Sequence, residues 1–206
     1  RRSLKEAGVG ERTVIVVTSD HGDEFFEHGR KGHHRTLYDE ILRVPFVLYV
    51  PGRSATRPVV EMETSIIDIM PTLLAITGLD IPPGVEGRDL SAVAFANAAQ
   101  EERATRGELF RMKSLNLQVS ERRPGKKLIH HFTRRRVESY AMGRDPGEQE
   151  RLSVTSGQTP ALLSDLTEWL NGRWQVFFSR IRDRGVAGLT MDRETEERLR
   201  SLGYIQ

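Results

Sequence analysis

The stretch from Thr13 to Pro51, TVIVVTSDHGDEFFEHGRKGHHRTLYDEILRVPFVLYVP, decides how the chain is read. It opens with Val14-Ile15-Val16-Val17, an unbroken β-branched run of the kind expected in a strand buried on both faces. The run stops at Thr18-Ser19-Asp20-His21-Gly22. An acid and an imidazole are therefore expected at the carboxyl end of the strand, the edge where open parallel α/β sheets bind their ligands. A second apolar run, Arg43 to Val50, closes at Pro51-Gly52. The two expected buried strands bracket a polar, glycine-punctuated loop that carries His28, His33 and His34.

Upstream, Ser3 to Ala7 has the composition of a helix end, and Gly8 and Gly10 can stop it before the strand. Downstream, Ser65-Ile66-Ile67-Asp68 has capping-box spacing ahead of Ile69, Leu73, Leu74 and Ile76, with Gly78 as the stop. Pro71 should bend this helix or mark its true first turn. Ile81 to Gly87 reads as a surface loop, and alanine-rich Ala92 to Ala99 as a helix. Beyond Gln100 the texture changes to short runs at Glu108–Met112, Leu115–Ser120, Lys127–Phe132 and Val137–Met142, with turns at Pro124-Gly125 and Arg134-Arg135. That pattern suggests an antiparallel meander, ended by the loop Asp145-Pro146-Gly147-Glu148. Thr159 to Ile181 is amphipathic, with Leu162, Leu163, Leu166, Trp169, Leu170, Trp174 and Phe177 near one face, and a short helix is expected from Arg193 to Leu202. The expected division is an α/β part over 1–100, a small antiparallel β-subdomain over 101–150 and terminal helices over 151–206.

With 206 residues and 37% apolar content, the chain can bury one core of ordinary size and a small appendage. No apolar run approaches the roughly 20 residues that span a bilayer, and Arg1 to Thr13 lacks the apolar middle of a signal peptide. The chain enters on a helix end without Met, which reads as a fragment or processed product. It has no cysteine, so disulfides, thiolate metal sites and a cysteine nucleophile are excluded within these residues. Net charge is only +2, yet eleven Lys or Arg fall between Arg103 and Arg136 against Glu108 and Glu121 alone. Aromatic interleaving there is sparse, so a solvated face of the small sheet is expected rather than a phosphate-binding surface, and no nucleic-acid partner.

Asp20 and His21 are adjacent, so they can face one cation only if the chain turns between them, a turn that Gly22 permits. A carboxylate oxygen with an imidazole nitrogen suits a divalent metal bridging substrate and nucleophile. A lone Asp-His-Gly tripeptide carries little weight, and its place directly after an apolar strand supplies the rest. His33 or His34 could hydrogen-bond an anionic substrate oxygen or protonate a leaving group, or the two could be a solvated pair. Glu27-His28-Gly29 reads as a turn with a local ion pair. Asp39, Glu40 and Arg43 read as a charge network anchoring the loop, and Asp23 and Glu24 as groups that steer the ligand pair or are only solvated.

The succession SDHGDEFFEHG, GHHRTLYDEILRVPFVLYVPG and SIIDIMPTLLAITGLDIPPGVEGRDL resembles the C-terminal portion of an arylsulfatase-like, bacterial-type sulfatase of the alkaline phosphatase superfamily. DPGEQERL and the ending ERLRSLGYI also resemble the tail of such chains. The resemblance implies an α/β sandwich with a small antiparallel sheet and terminal helices, and a metal-dependent sulfuric ester hydrolase. It makes Asp20 and His21 a ligand pair for one divalent metal, Ca2+ before Mn2+, Mg2+ or Zn2+, although many members have Asn where this chain has His21. It places His33, after Gly32, on the sulfate and leaving oxygen, with His34 as competitor. The family's formylglycine nucleophile arises from a C/S-x-P-x-R motif in the N-terminal half, and no such motif occurs in these residues. The implied partners are a sulfate-ester substrate and that N-terminal half, without which this chain should not turn over. Export or a periplasmic location would follow many members. The alternatives are a phosphodiester or phosphonate monoester hydrolase on the same scaffold, and a non-catalytic module binding a polyanion.

Overall fold

The computed structural model describes residues 1–56, 59–99, 101–111, 116–154, 159–184 and 197. It is a mixed α/β structure with small antiparallel sheets. Helix α1 (Arg2–Glu6) ends at Gly8, whose left-handed φ of 71° turns the chain toward β1 (Ile15–Thr18). The hairpin β2 (Glu24–Phe25) and β3 (Lys31–Gly32), helix α2 (Asp39–Leu42) and strand β4 (Phe46–Tyr49) follow. The expected capping box is formed: Asp68 accepts from the Ser65 amide at 2.8 Å, and a short 3-10 turn leads into α3 (Ile69–Thr77). Pro71 lies in the first turn of α3, where its missing N–H costs nothing, and Gly78 closes the helix with φ 74°. Helix α4 (Ser91–Phe95) is shorter than the alanine-rich run suggests.

The four-stranded sheet β5 (Thr105–Arg111), β6 (Asn116–Arg123), β7 (Lys126–His131) and β8 (Arg136–Tyr140) is the expected meander. Expected strand ends at Met112 and Leu115 lie outside the described residues, as do the side chains of Trp174 and Phe177 and the expected helix from Arg193 to Leu202. Helix α5 (Thr159–Arg184) lays Leu162, Leu166 and Leu170, four residues apart, on Leu117, Val119 and Leu128 of one sheet face. Burying each such leucine contributes roughly 1.5–3 kcal/mol. The opposite face carries Leu109, Ile129 and Tyr140 and packs on Leu37 and Tyr38 from the histidine loop's end. No helix among the described residues is long and apolar enough to cross a membrane.

Two expectations are corrected. Among the described residues β1 pairs with β4 alone, antiparallel, Val17 opposite Val47, instead of entering a parallel sheet. Nor is it covered on both faces, since Val17 is 55% and Val47 57% exposed. The strands covered on both faces are β6 and β7, which the sequence disguises with Gln118, Glu121, Lys127 and His131. The basic run is a solvated face only in part, with Arg111, Arg134 and Arg135 exposed. Arg103 pairs with Asp68, Arg106 and Arg123 with Glu121, Arg122 with Asp39 and Glu63, and Arg136 with Glu138.

Lys127, with 0% of its side chain exposed, donates to Asp39 and to Glu148, each at 2.8 Å, while the Asp39 amide donates to Glu148 at 2.6 Å. The expected charge network therefore exists at Asp39, but its cations come from the meander. Arg43 makes no ion pair among the described residues. Removing one partner of such a buried set leaves uncompensated charge, so Lys127→Met should lower the unfolding free energy by about 3–5 kcal/mol, read by urea denaturation.

Buried Glu138 accepts from Tyr38 at 2.8 Å, from Tyr140 and from His131 at 2.8 Å. Burial pushes its pKa up, but these bonds from His131, Tyr140 and Tyr38 prevail and hold it at about 2, against an ordinary 4.5. A folded value below the unfolded one means stabilisation that is complete above the unfolded pKa and lost as pH falls toward the folded one. Urea midpoints of the wild type should therefore drop through the window from about 4.5 to about 2, and Glu138→Gln should flatten that drop.

Candidate active site

The histidine loop is built from a hairpin. Glu24 pairs with Gly32 across β2 and β3, so Asp23 and His33 are the next residues outward on the two strands. They meet: His33 Nδ1 lies 2.7 Å from Asp23 Oδ1. Because a carboxylate only accepts, Nδ1 carries the hydrogen, and Nε2 is left for another partner. The far end of the loop is pinned by Gln118, whose amide donates to the Arg35 carbonyl at 2.8 Å, and by Thr36, which donates to buried Glu24 at 2.7 Å. Between these anchors His34 takes a left-handed φ of 74°, an uncommon state for a non-glycine residue.

Asp20 and His21 follow β1 directly. Gly22 is required at the turn, though for a different reason from left-handed freedom. A Cβ there would sit 2.0 Å from the Glu40 carbonyl oxygen, and the Gly22 amide donates to the Ile41 carbonyl at 2.8 Å. Close approach of the DHG turn to α2 thus fixes the residue. The Asp20 side chain is 88% exposed and accepts from the His21 amide at 3.1 Å, with Oδ2 3.8 Å from His21 Nε2. Its own backbone hydrogen bond and the neighbouring His21 charge lower its pKa.

The structure brings all four expected residues together. The rings of His21 and His33 lie 4.1 Å apart, those of His33 and His34 3.7 Å, and those of His21 and His34 6.1 Å. Partial desolvation, followed by the like charges of His33, His21 and Arg111, lowers the His34 pKa.

The donors fit a divalent cation. His21 Nδ1 lies 2.9 Å from the Gly22 carbonyl, which only accepts, so Nδ1 is the protonated nitrogen and the Nε2 lone pair is free to ligate. That nitrogen and an outward Asp20 carboxylate oxygen converge closely enough for one ion at the usual ~2.0–2.6 Å to reach both. Ligand atoms of His21, Asp23 and His33 also lie within 4.8 Å of one another. A second group, Glu24, His28 and Glu40, has the same closeness but is internally satisfied. His28 Nδ1 lies 2.6 Å from Glu40, its Nε2 3.0 Å from the Glu148 carbonyl, and its ring stacks 3.6 Å from Tyr38. Burial works against a charged His28, but the Glu148 carbonyl and Glu40 raise its pKa overall. The expected local turn at His28 is therefore a tertiary contact reaching the Asp145–Glu148 loop.

Two features escaped the sequence reading. Asp23 was placed only as a steering or solvated group, and the hairpin register would have identified it as the partner of His33. Arg30 and Arg35, remote in sequence from Arg111 and Arg134, share a cavity with them.

The sulfatase family model matches residues 2–79. The chain is 26% identical over 162 residues to a Delta 4,5-hexuronate-2-O-sulfatase of Bacteroides thetaiotaomicron, covering 74% of this chain and 33% of that protein. It is 34% identical over 102 residues to arylsulfatase K of Mus musculus, covering 50% of this chain and 18% of that one. Among solved structures, a 2-O GAG sulfatase superposes with a TM-score of 0.67 at 26% identity over 88% of this chain and 39% of its own. A phosphonate monoester hydrolase from Silicibacter pomeroyi does so with a TM-score of 0.61 at 28% identity over 88% of this chain and 37% of its own. The chain thus spans about a third of the length of the first of these relatives. The segment that matches the sulfatase family model carries Asp20, His21, His33 and His34, and the superposed sulfatase and phosphonate monoester hydrolase chains share the fold.

Proposed function

We propose that this chain supplies the metal-binding and leaving-group side of a sulfuric ester hydrolase site. The observation that carries the reading is the approach of His33, held by Asp23, to the Asp20–His21 pair. Asp20 and His21 would hold a divalent cation, with calcium the first choice and Mn2+, Mg2+ or Zn2+ the others. Such an ion supplies neutralisation of charge on sulfate oxygens. His33, with Nδ1 on Asp23, presents Nε2 as the donor that protonates the departing alcohol oxygen as the S–O bond breaks. His34 sits against it, ring centre to ring centre 3.7 Å. The nucleophile would come from outside these residues, as a formylglycine in the N-terminal half. The exposed Val17–Val47 face of the β1–β4 ribbon is apolar surface which that half could cover. Residues 1–100 would then complete the α/β domain, with 101–150 as the β-subdomain and 151–206 as the helices packed on it.

A second reading, phosphonate monoester hydrolysis, is favoured by the likeness to the Silicibacter enzyme. The metal pair and His33 serve either ester, and the nucleophile separates them. The polyanion-binding module loses ground because most of the basic run is consumed in internal ion pairs.

Two measurements on the intact protein test the reading. Asp20→Ala should cut bound divalent metal, read by elemental analysis, together with hydrolysis of sulfate esters; full metal content and activity in the variant would sink it. General acid catalysis contributes typically about 10²–10⁴-fold, so His33→Ala should lower kcat on a sugar sulfate by that order, and by much less on a phenyl sulfate with a good leaving group. If His34→Gly shows that leaving-group pattern and His33→Ala does not, the proton comes from His34.

A further inference from the structure

Arg30, Arg35, Arg111 and Arg134, with Asn116 and Thr133, line a cavity of about 200 Å³. The meander's topology explains the gathering. Arg111 and Asn116 are opposite one another at the end of the β5–β6 ladder, and Arg134 lies in the turn between β7 and β8, at that same end of the sheet. The histidine loop brings Arg35, its carbonyl pinned by Gln118, and the β2–β3 hairpin brings Arg30. Arg103, Arg106, Arg122, Arg123 and Arg136 each have a carboxylate partner. The four arginines that line the cavity, all exposed, have none among the described residues. Four like charges around one concavity repel, a cost that an entering anion reverses. Guanidinium forks suit planar or tetrahedral oxyanions bidentately, and a pocket below the ~300 Å³ of whole-ligand sites takes one charged group. The pocket also adjoins the reacting edge, since Arg35 directly follows His34 and Arg30 lies in the hairpin that carries His33.

We propose that this pocket is a subsite for a second oxyanion, sulfate or carboxylate, on a substrate whose reacting ester lies at His33. It rests on the hydrolase reading and specifies a substrate class within it: esters carrying at least two anionic groups.

The test uses the intact protein and three probes: 4-nitrophenyl sulfate, a monosulfated disaccharide with a uronate carboxylate, and a disulfated disaccharide without one. The Arg111→Gln/Arg134→Gln variant should lose about 10- to 100-fold in kcat/KM on one or both disaccharides, through KM, and nothing on 4-nitrophenyl sulfate. The disaccharide that loses more identifies carboxylate or sulfate as the occupant. Equal losses on all three probes, or no loss on any, overturn the subsite. Arg30→Gln, in the exposed hairpin, should repeat the split and serves if the double variant fails to fold. If the wild type hydrolyses none of the probes, the hydrolase reading fails by itself. Calorimetric titration of each disaccharide into wild type and variant then decides the subsite: equal affinities for both overturn it, and a weaker variant upholds it.

Discussion

The ammonium of Lys127 holds three parts of the chain at one point. It is fully buried between Asp39, at the start of the helix that follows the histidine loop, and Glu148, in the loop that ends the meander. Charges removed from water are tolerable only when paired and hydrogen-bonded, and here each partner has a further bond, Glu148 from the Asp39 amide and Asp39 from Arg122. The register of β7 decides which of its side chains reach this face, so Lys127, Ile129 and His131 lie toward the loop while Leu128 lies toward α5. A one-residue slip would exchange the two sets. The position of the histidines is therefore a consequence of sheet register.

Around this point the sheet behaves as a scaffold with two unlike faces. One is apolar and holds α5 through leucines. The other mixes Ile129 and Tyr140 with Gln118, Lys127, His131 and Glu138, whose polar atoms grip the loop's backbone and its acids. Apolar contact supplies cohesion on both faces, and directional bonds on the second supply position. The proposed transfer of a proton to a particular oxygen would need the latter, because small displacements of the donor cost rate steeply.

Much of this was legible beforehand. The strand before the DHG turn, the capping box at Ser65, the four-stranded meander and the long helix all follow from local pattern, and so does the assembly of Asp20, His21, His33 and His34 once the resemblance is added. What escaped was tertiary. Val16 and Val17 read as buried because a β-branched run ordinarily is, while the ribbon they form has Val17 and Val47 exposed among the described residues. Lys127, within the basic run, read as solvent-facing because charge ordinarily is, and only long-range pairing places it inside. Asp23 needed the two-residue hairpin to become visible, and strands that short leave no periodicity to read.

The bonds that fix the histidine loop join residues far apart along the chain: 83 positions for Gln118 and Arg35, 88 for Lys127 and Asp39, 109 for Glu148 and Asp39. Such contacts are slow to form, because chain entropy is lost before any is made. On a ribosome adding about 5–20 residues per second, the imidazoles emerge many seconds before the side chains that hold them. Newly made protein therefore passes through an interval in which its imidazoles are exposed and unplaced, and the loop is fixed late, when Gln118, Lys127 and Glu148 reach it.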